Sequence, residues 1–218
     1  MIHRTPPTIV EVADILIPLW PDARPLLDYS SCFELLCSVI LSAQTTDEQV
    51  NAATPALFAA YPDPEAMAGA EIEAIEDLIR TVGFYHVKAR YLSSTARILV
   101  EQHHAAVPET MEELLELPGV GRKTANLVLS ACTDTPGVIV DTHVMRASVR
   151  LGLCGRRDPE VIEIAIREGL EAGRLTAFSH ALNRHGKFVC TARSPACLAN
   201  RGCPLDALCP REGLEAQE

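Results

Sequence analysis

Lys123 lies in the stretch LPGVGRKTAN, residues 117–126, where a turn gives way to a helical pattern. In the first turn of a helix the dipole opposes a positive charge, so stability alone would favour an acid there. Arg122 places a second cation beside it. Both effects favour the neutral amine, which is a nucleophile. The residue type and its position therefore indicate either amine chemistry at Lys123 or an ordinary solvated lysine.

The proline and the Gly-x-Gly that precede Lys123 predict a tight hairpin between two helices. Gly119 and Gly121 permit positive φ and a close backbone approach. The amides of Val120, Gly121 and Arg122 are expected to point outward without a helical acceptor, and a phosphate could satisfy them. Such a contact reads the DNA backbone and not the bases. The alternative is a plain connector between two helices.

Asp141 is the second candidate for chemistry, in VIVDTHVMR, residues 138–146. It follows a short apolar run and precedes a helical pattern, which predicts an N-cap. A capping carboxylate is also held rigidly beside the helix start. If the chain brings it to face Lys123, the two offer a fixed anion and a nucleophilic amine, but spacing alone leaves that open.

Four cysteines cluster near the C-terminus: Cys190, Cys197, Cys203 and Cys209, separated by six, five and five residues. Structural zinc sites usually contain close C-x₂₋₄-C pairs, and none occurs here. Four cysteines in a short loop-rich segment can ligate a [4Fe–4S] cluster. The spacing favours a metal over free thiols, and iron–sulfur only modestly over zinc. The four remaining cysteines lie singly in apolar or helical stretches and are expected in the core: Cys32, Cys37, Cys132 and Cys154.

The elements that position these residues have helical periodicity. Residues 32–44 are apolar nearly all round and predict a buried helix. Amphipathic patterns predict two more helices, at residues 70–82 and 88–103, and a fourth is predicted from Pro159 to Gly173. The third is expected to bury Leu92, Ala96, Leu99 and Val100 in its apolar stripe. The run GVIV, residues 137–140, is β-like but too short to build a sheet. Helix pairs joined by short turns predict an all-α protein.

The composition is that of an ordinary globular chain of 218 residues, 48% apolar and 22% charged. The net charge of −10 argues weakly against a nucleic-acid partner, but residues 143–157 carry four arginines and no acid. An acidic protein can hold DNA on one basic face. No stretch reaches the roughly 18 uncharged apolar residues of a membrane span, and the N-terminus lacks the features of a signal peptide. We therefore expect a cytoplasmic protein, nucleoid-associated if bacterial.

These elements together resemble the endonuclease III family of DNA glycosylases, in the helix-hairpin-helix superfamily. SAQTTD (42–47) and GFYHVKA (83–89) are similar to two family motifs, and LPGVGRKTAN and VDTH match two more nearly letter for letter. The four motifs occur in family order, and the resemblance covers most of the chain.

The resemblance implies a role for each motif residue. It makes Lys123 the nucleophile and Asp141 the catalytic aspartate. Gln44 corresponds to the glutamine that fills the gap left by an extruded nucleotide. Phe84 falls where the family places an apolar wedge, commonly leucine. His143 either lines the lesion pocket or serves the helix surface.

The resemblance also implies two helical lobes with the lesion pocket between them. Residues 25–135 would form a six-helix barrel with the helix-hairpin-helix at about 112–131. Residues 1–24 and 136–218 would form a lobe that carries a [4Fe–4S] cluster on the four terminal cysteines. The family pattern C-x₆-C-x₂-C-x₅-C is three residues shorter than the one here. The extra residues either bulge outward at 199–202 or weaken the site.

The implied activity is that of a bifunctional glycosylase and AP lyase. The enzyme would be a monomer that binds duplex DNA with a damaged base or an abasic site. It would excise oxidised pyrimidines through a lysine Schiff base and β-elimination. Two alternatives remain: a mismatch-type glycosylase of the same superfamily, and a non-catalytic DNA-binding module. Lys123 argues against a glycosylase without lyase activity.

Overall fold

The computed structural model describes residues 5–199 and 201–214, and these contain eleven α-helices and no β-strand. The all-α prediction is confirmed. The helices are α1 (Ile9–Leu19), α2 (Cys32–Ser42), α3 (Asp47–Ala60), α4 (Pro64–Ala68), α5 (Ile72–Leu78), α6 (Tyr85–Gln102), α7 (Met111–Leu115), α8 (Arg122–Cys132), α9 (Thr142–Arg150), α10 (Pro159–Gly169) and α11 (Ala172–Arg184). A π-helical turn, His185–Val189, continues α11. In the part of the chain that is described, no helix is both long and apolar enough to cross a membrane.

The chain forms two compact units. One is Leu26–Thr135, with α2 to α8. The other combines the described residues of Met1–Pro25 and Pro136–Glu218, with α1 and α9 to α11.

Helix α2 is the most buried element of the unit Leu26–Thr135, as its apolar sequence predicts. Every residue from Leu35 to Leu41 is buried, and the helix contacts α3, α6 and α8. Its start is capped by Ser31, whose hydroxyl accepts the amide of Glu34. The helix ends at Ser42, two residues before the predicted end, because the chain turns there toward α3.

Helix α6 buries one apolar stripe and begins earlier than predicted, at Tyr85. Leu92, Ala96 and Leu99 are buried as expected, but Val100 is exposed. The buried face of α6 is narrower than predicted. It includes Leu99, whereas Val100 lies on the solvent side.

A disulfide joins Cys32 at the start of α2 to Cys132 at the end of α8, with 5.7 Å between the Cα atoms. The prediction that these two are free core cysteines is therefore wrong. They lie 100 residues apart in sequence, and only the side-by-side packing of α2 and α8 brings them together. Cys37 and Cys154 are buried and free, as predicted.

The second unit packs its helices around a core that includes Val12, Leu16, Val144 and Phe178. Helix α10 ends at Gly169 and not at the predicted Gly173, because Leu170 is extended and α11 begins at Ala172. A Cβ on Gly169 would lie 2.6 Å from Ile9, so this helix end packs closely on α1.

Residues 137–140 form no strand and pair with none in the described part of the chain. Helix α11 supplies the hydrogen bonds that a strand partner would give. The hydroxyl of Ser179 accepts from the amide of Ile139 at 2.8 Å and donates to the carbonyl of the same residue at 3.0 Å. Thr176 accepts from the amide of Gly137 at 3.0 Å. This double anchoring fixes the backbone that leads into Asp141.

Candidate active-site residues and cysteine centre

The predicted hairpin connects α7 to α8, and Gly119 is the residue that shapes it. Its φ is +79°, and a Cβ there would lie 2.7 Å from the ring of Tyr91. Both the backbone conformation and the close contact therefore require glycine. Gly121 differs, because its backbone is extended and nothing lies within 4 Å of the position of a Cβ.

The amide of Val120 does not point outward. It donates to the carbonyl of Leu117 at 3.1 Å, and the Val120 side chain is buried. The expectation of an unbonded amide is wrong at this residue, because the carbonyl of Leu117 within the same turn accepts its hydrogen bond. Gly121 is the N-cap of α8 and offers no capping side chain.

Lys123 is the second residue of α8, and its side chain is exposed. The first turn of α8 contains no acid. The chain has three lysines, Lys88, Lys123 and Lys187. Lys88 is buried, Lys187 is half-buried and Lys123 is exposed.

Gln44 and Phe84 share an uncommon backbone conformation. Their φ values are 55° and 58°, in the left-handed region. Gln44 is exposed in the turn between α2 and α3, and Phe84 is 66% exposed at the start of α6. A Cβ on Gly83 would lie 3.7 Å from the carbonyl oxygen of Gln44, so the two turns touch.

Sequence reasoning did not single out Lys88, whose side chain contacts the turn that carries Gln44. It is 4% exposed, and its Nζ donates to the carbonyl of Leu41 and to Oγ1 of Thr45, both at 2.7 Å. Burial lowers its pKa to about 8. A signal was available: Lys88 stands four residues before Leu92, in register with the buried stripe of α6, where a lysine needs a partner.

Asp141 is the N-cap of α9, as predicted. Its Oδ1 accepts the amides of His143 and Val144, both at 2.9 Å. Its Oδ2 accepts from the side-chain amide of Asn183 on α11 at 2.8 Å. Sequence reasoning missed Asn183, since nothing in its local pattern separates it from a surface residue of an amphipathic helix.

His143 is half-buried and lies beside Arg146. The distance from its Nδ1 to the Arg146 guanidinium is 3.1 Å, and the same guanidinium donates to the carbonyl of Cys190 at 2.9 Å. A Cβ on Gly186 would lie 2.5 Å from the His143 carbonyl oxygen, so the π-helical turn packs closely on α9. These contacts tie His143 to the start of the cysteine segment.

The four terminal cysteines line one cavity, together with Arg150 and His185. The Arg150 guanidinium lies 3.4 Å from Sγ of Cys190 and donates to the carbonyl of Thr191 at 2.7 Å. The amide of Arg211 donates to Sγ of Cys209 at 3.4 Å. The Arg150 guanidinium and the Arg211 amide are therefore directed at two of the four sulfurs.

Three observations bear on whether this cavity fits a metal group. In residues 5–199 and 201–214, no three His, Cys, Asp or Glu side chains come close enough to hold a single metal ion. Nδ1 of His185, buried beside the cysteines, has no hydrogen-bond partner among the described residues. Burial raises the pKa of Cys203 and of Cys209 to about 11, and the neighbouring cysteines add to it. Four thiols that line one cavity beside a buried ring nitrogen are a donor set that fits a metal group with sulfur ligands.

Known proteins are similar to this chain in both sequence and fold. A family model described as the HhH-GPD superfamily base excision DNA repair protein matches residues 37–172. The endonuclease III of Synechocystis sp. is 46% identical over 201 residues, covering 92% of this chain and 90% of that protein. That of Escherichia coli K12 is 40% identical over 189 residues, covering 87% and 88%.

The chain belongs to the endonuclease III family. A trapped endonuclease III–DNA covalent intermediate has the same fold, with a TM-score of 0.87, 37% identity, and coverage of 92% of this chain and 93% of that one. A thermostable thymine-DNA glycosylase shares the fold at a TM-score of 0.79 and 21% identity. The superfamily match includes Gln44, Phe84, the hairpin with Lys123, and Asp141, and it ends before the four cysteines.

Proposed function

We propose that this endonuclease III family member is a bifunctional DNA glycosylase and AP lyase of base excision repair, acting on oxidised pyrimidines in duplex DNA. The observation that carries the proposal is the match in fold and sequence to a covalent endonuclease III–DNA intermediate. A covalent intermediate needs a nucleophile on the protein. Lys123 supplies one: an exposed amine in the first turn of α8.

The chemistry proceeds in two stages. The Lys123 amine attacks C1′ of the damaged nucleotide, a nitrogen–carbon bond forms, and the bond from C1′ to the base breaks. The sugar ring then opens to a Schiff base, and loss of a C2′ proton expels the 3′ phosphate by β-elimination. The Asp141 carboxylate stabilises the positive charge that develops on the sugar. Its role suits a carboxylate fixed by two helix amides and Asn183.

The damaged base must first leave the duplex stack, at a cost of about a few kcal/mol. In the proposal, Gln44 fills the gap and Phe84 wedges against the opposite strand, which offsets that cost. The bulk of Phe84, where the family commonly has leucine, would alter how the opposite base is read. Gly119 shapes the hairpin, and the open backbone at Gly121 and Arg122 takes a phosphate.

The four cysteines would hold a [4Fe–4S] cluster. When bound, such a cluster supplies crosslinks for a segment that has little core of its own. Arg150 and the amide of Arg211 would orient and neutralise the sulfurs. The three extra residues between Cys197 and Cys203 leave both cysteines on the same cavity.

Borohydride trapping tests the proposal. A duplex with one thymine glycol should form a covalent adduct with the wild-type protein, because borohydride reduces the Schiff base. Lys123→Gln should form none while retaining DNA binding. Lys187→Gln is the matched control, since it removes the other solvent-accessible lysine and should leave the adduct intact. An adduct that survives Lys123→Gln would show that the nucleophile is wrong.

A non-catalytic DNA-binding module gives a different result in the same experiment. It would bind the duplex, form no adduct in the wild type, and leave an abasic-site duplex uncut. A mismatch-type glycosylase would release a base without forming an adduct.

A further inference from the structure

The turns that carry Gln44 and Phe84 belong to different helix pairs, yet they touch. Gln44 lies between α2 and α3, and Phe84 precedes α6, 40 residues later in the chain. Each adopts a left-handed conformation that a residue with a side chain rarely takes. Such conformations persist where the surrounding structure over-determines them, and they cluster at functional sites.

Lys88 is the side chain that ties the two turns together. It stands one helical turn after Phe84, and its own amide donates to the Phe84 carbonyl at 3.1 Å. Its Nζ crosses to the other turn, where it donates to the carbonyl of Leu41 at the end of α2 and to the hydroxyl of Thr45. The Lys88 side chain therefore bonds Leu41 and Thr45, which flank Gln44 in the chain, and it belongs to the helix whose N-cap is Phe84.

Burial of the Lys88 side chain has an unfavourable free energy that its contacts must offset. Burying an ammonium carries a desolvation penalty unless it is well hydrogen-bonded. Both acceptors of Lys88 are neutral oxygens, a carbonyl and a hydroxyl. A leucine or methionine would fill the same register of the apolar stripe without that penalty, so packing alone does not explain the amine. What the amine adds is a fixed distance between the two turns.

We propose that Lys88 is a positioning residue that locks the Gln44 turn to the start of α6, so that Gln44 and Phe84 enter a DNA duplex as one rigid unit. This inference rests on the proposed function, which assigns those two side chains to the extrusion of the damaged nucleotide. If the Lys88 hydrogen bonds fix the two turns, Gln44 and Phe84 keep their separation as they enter the duplex. The entropy of ordering the turns is then not lost when DNA binds.

The variant Lys88→Met tests this, because it keeps the apolar stem and removes both hydrogen bonds. Thr45→Val is a second, milder variant that removes one acceptor and leaves the lysine in place. Arg97→Met is the matched control, since it removes an exposed cation from the same helix. Each protein is first checked for its unfolding temperature, so that only folded variants are compared.

The first readout is backbone hydrogen exchange in the free protein, which does not depend on enzyme activity. Lys88→Met should exchange faster in the segment 42–46 and at 83–85 than the wild type, and Thr45→Val should show a smaller change of the same sign. In these two segments the Arg97→Met pattern should equal that of the wild type, because the Arg97 guanidinium bonds to the Ala68 carbonyl, outside them. Unchanged exchange in both Lys88→Met and Thr45→Val would overturn the proposal.

The second readout compares two substrates. A thymine glycol in duplex DNA must be extruded from the stack, whereas an abasic site has no base to unstack. Lys88→Met should slow excision of thymine glycol by about 10- to 100-fold, the range for misplaced positioning groups, and should change cleavage at an abasic site by less than about threefold. A purely structural role of Lys88 would lower both rates together, and that result would also overturn the proposal.

Failure of the proposed function is distinguishable from failure of this inference. If the wild-type protein processes neither substrate, the glycosylase assignment falls, and the exchange measurement alone decides whether Lys88 couples the two turns.

Discussion

The side-chain amide of Asn183 donates a hydrogen bond of 2.8 Å to Oδ2 of Asp141, while Oδ1 of the same carboxylate accepts two helix amides. Asp141 is thereby held on both oxygens, by its own helix and by α11. A carboxylate fixed in this way needs no reorganisation when positive charge appears near it.

The Asn183→Leu variant should therefore be slower in the glycosylase step. Loss of a hydrogen bond to a charged group costs about 1.5–3 kcal/mol, which corresponds to roughly a 10- to 100-fold lower kcat with little change in KM. Single-turnover base release from a thymine glycol duplex measures it. The control is Arg174→Gln on the same helix as Asn183, which removes a surface ion pair with Asp14 of α1 and should keep the wild-type rate. An unchanged kcat in Asn183→Leu would show that the capping amides alone hold Asp141.

The two glycines of the hairpin should respond differently to alanine. Gly119→Ala introduces both a strained φ and a Cβ at 2.7 Å from the Tyr91 ring, so the free energy of unfolding should fall by about 2 kcal/mol or more. Gly121→Ala meets open space in an extended backbone and should cost less than about 1 kcal/mol. Urea unfolding of both variants makes the comparison, and equal losses would contradict the hairpin geometry.

The Cys32–Cys132 disulfide closes a long loop of the chain. A disulfide of this kind stabilises a protein by about 2–4 kcal/mol. Cys32→Ser and Cys132→Ser should each lower the free energy of unfolding by that amount, and the double variant should lose no more than either single one, because each removes the same bond. Additive losses would show that the two cysteines contribute independently, and titration of free thiols in the wild type would confirm that outcome.

The depressed pKa of Lys88 gives stability a defined pH dependence. Burial lowers the folded-state pKa to about 8 from its ordinary value of 10.5. Between these values the unfolded chain binds the proton and the folded chain does not, so the stability contributed by this group rises with pH in that window. Below pH 8 both states are protonated and the full desolvation cost is present. From pH 8 to pH 10 the unfolding free energy of the wild type should therefore rise relative to that of Lys88→Met. If the difference does not change with pH, the pKa of Lys88 is not lowered in the folded protein.

The cysteine centre should contain about four iron atoms per chain after purification without oxygen. Cys197→Ala should lose iron and visible absorption, because one of four sulfurs is gone. Cys154→Ala is the control, since that buried cysteine is not among the residues that line the cavity, and it should retain iron. Zinc in place of iron in the wild-type protein would refute the cluster.

Much of the fold and of the site was readable from the sequence because its signals are local. An apolar run predicted α2, and the 3.6-residue periodicity predicted α5 and α6, since a helix face is set by residues three and four apart. Helix α5 ends at Leu78 and not at the predicted Val82. The capping role of Asp141 followed from the residues next to it. The hairpin followed from its proline and glycines, which act through their own backbone angles. Helix ends were less accurate, as at Gly169, because the end depends on what packs there, here Ile9.

The sequence by itself determined the helical class, the helix faces and the motif residues, since each depends on neighbours within a turn or two of chain. Only the tertiary structure decided which distant residues meet. The Lys88 amine reaches Leu41 and Thr45 across more than 40 residues, Asn183 reaches Asp141 across 42, and Cys132 bonds Cys32 across 100. Contacts of this kind depend on how the helices pack, and helix packing is decided by the whole buried surface, to which no local pattern gives access.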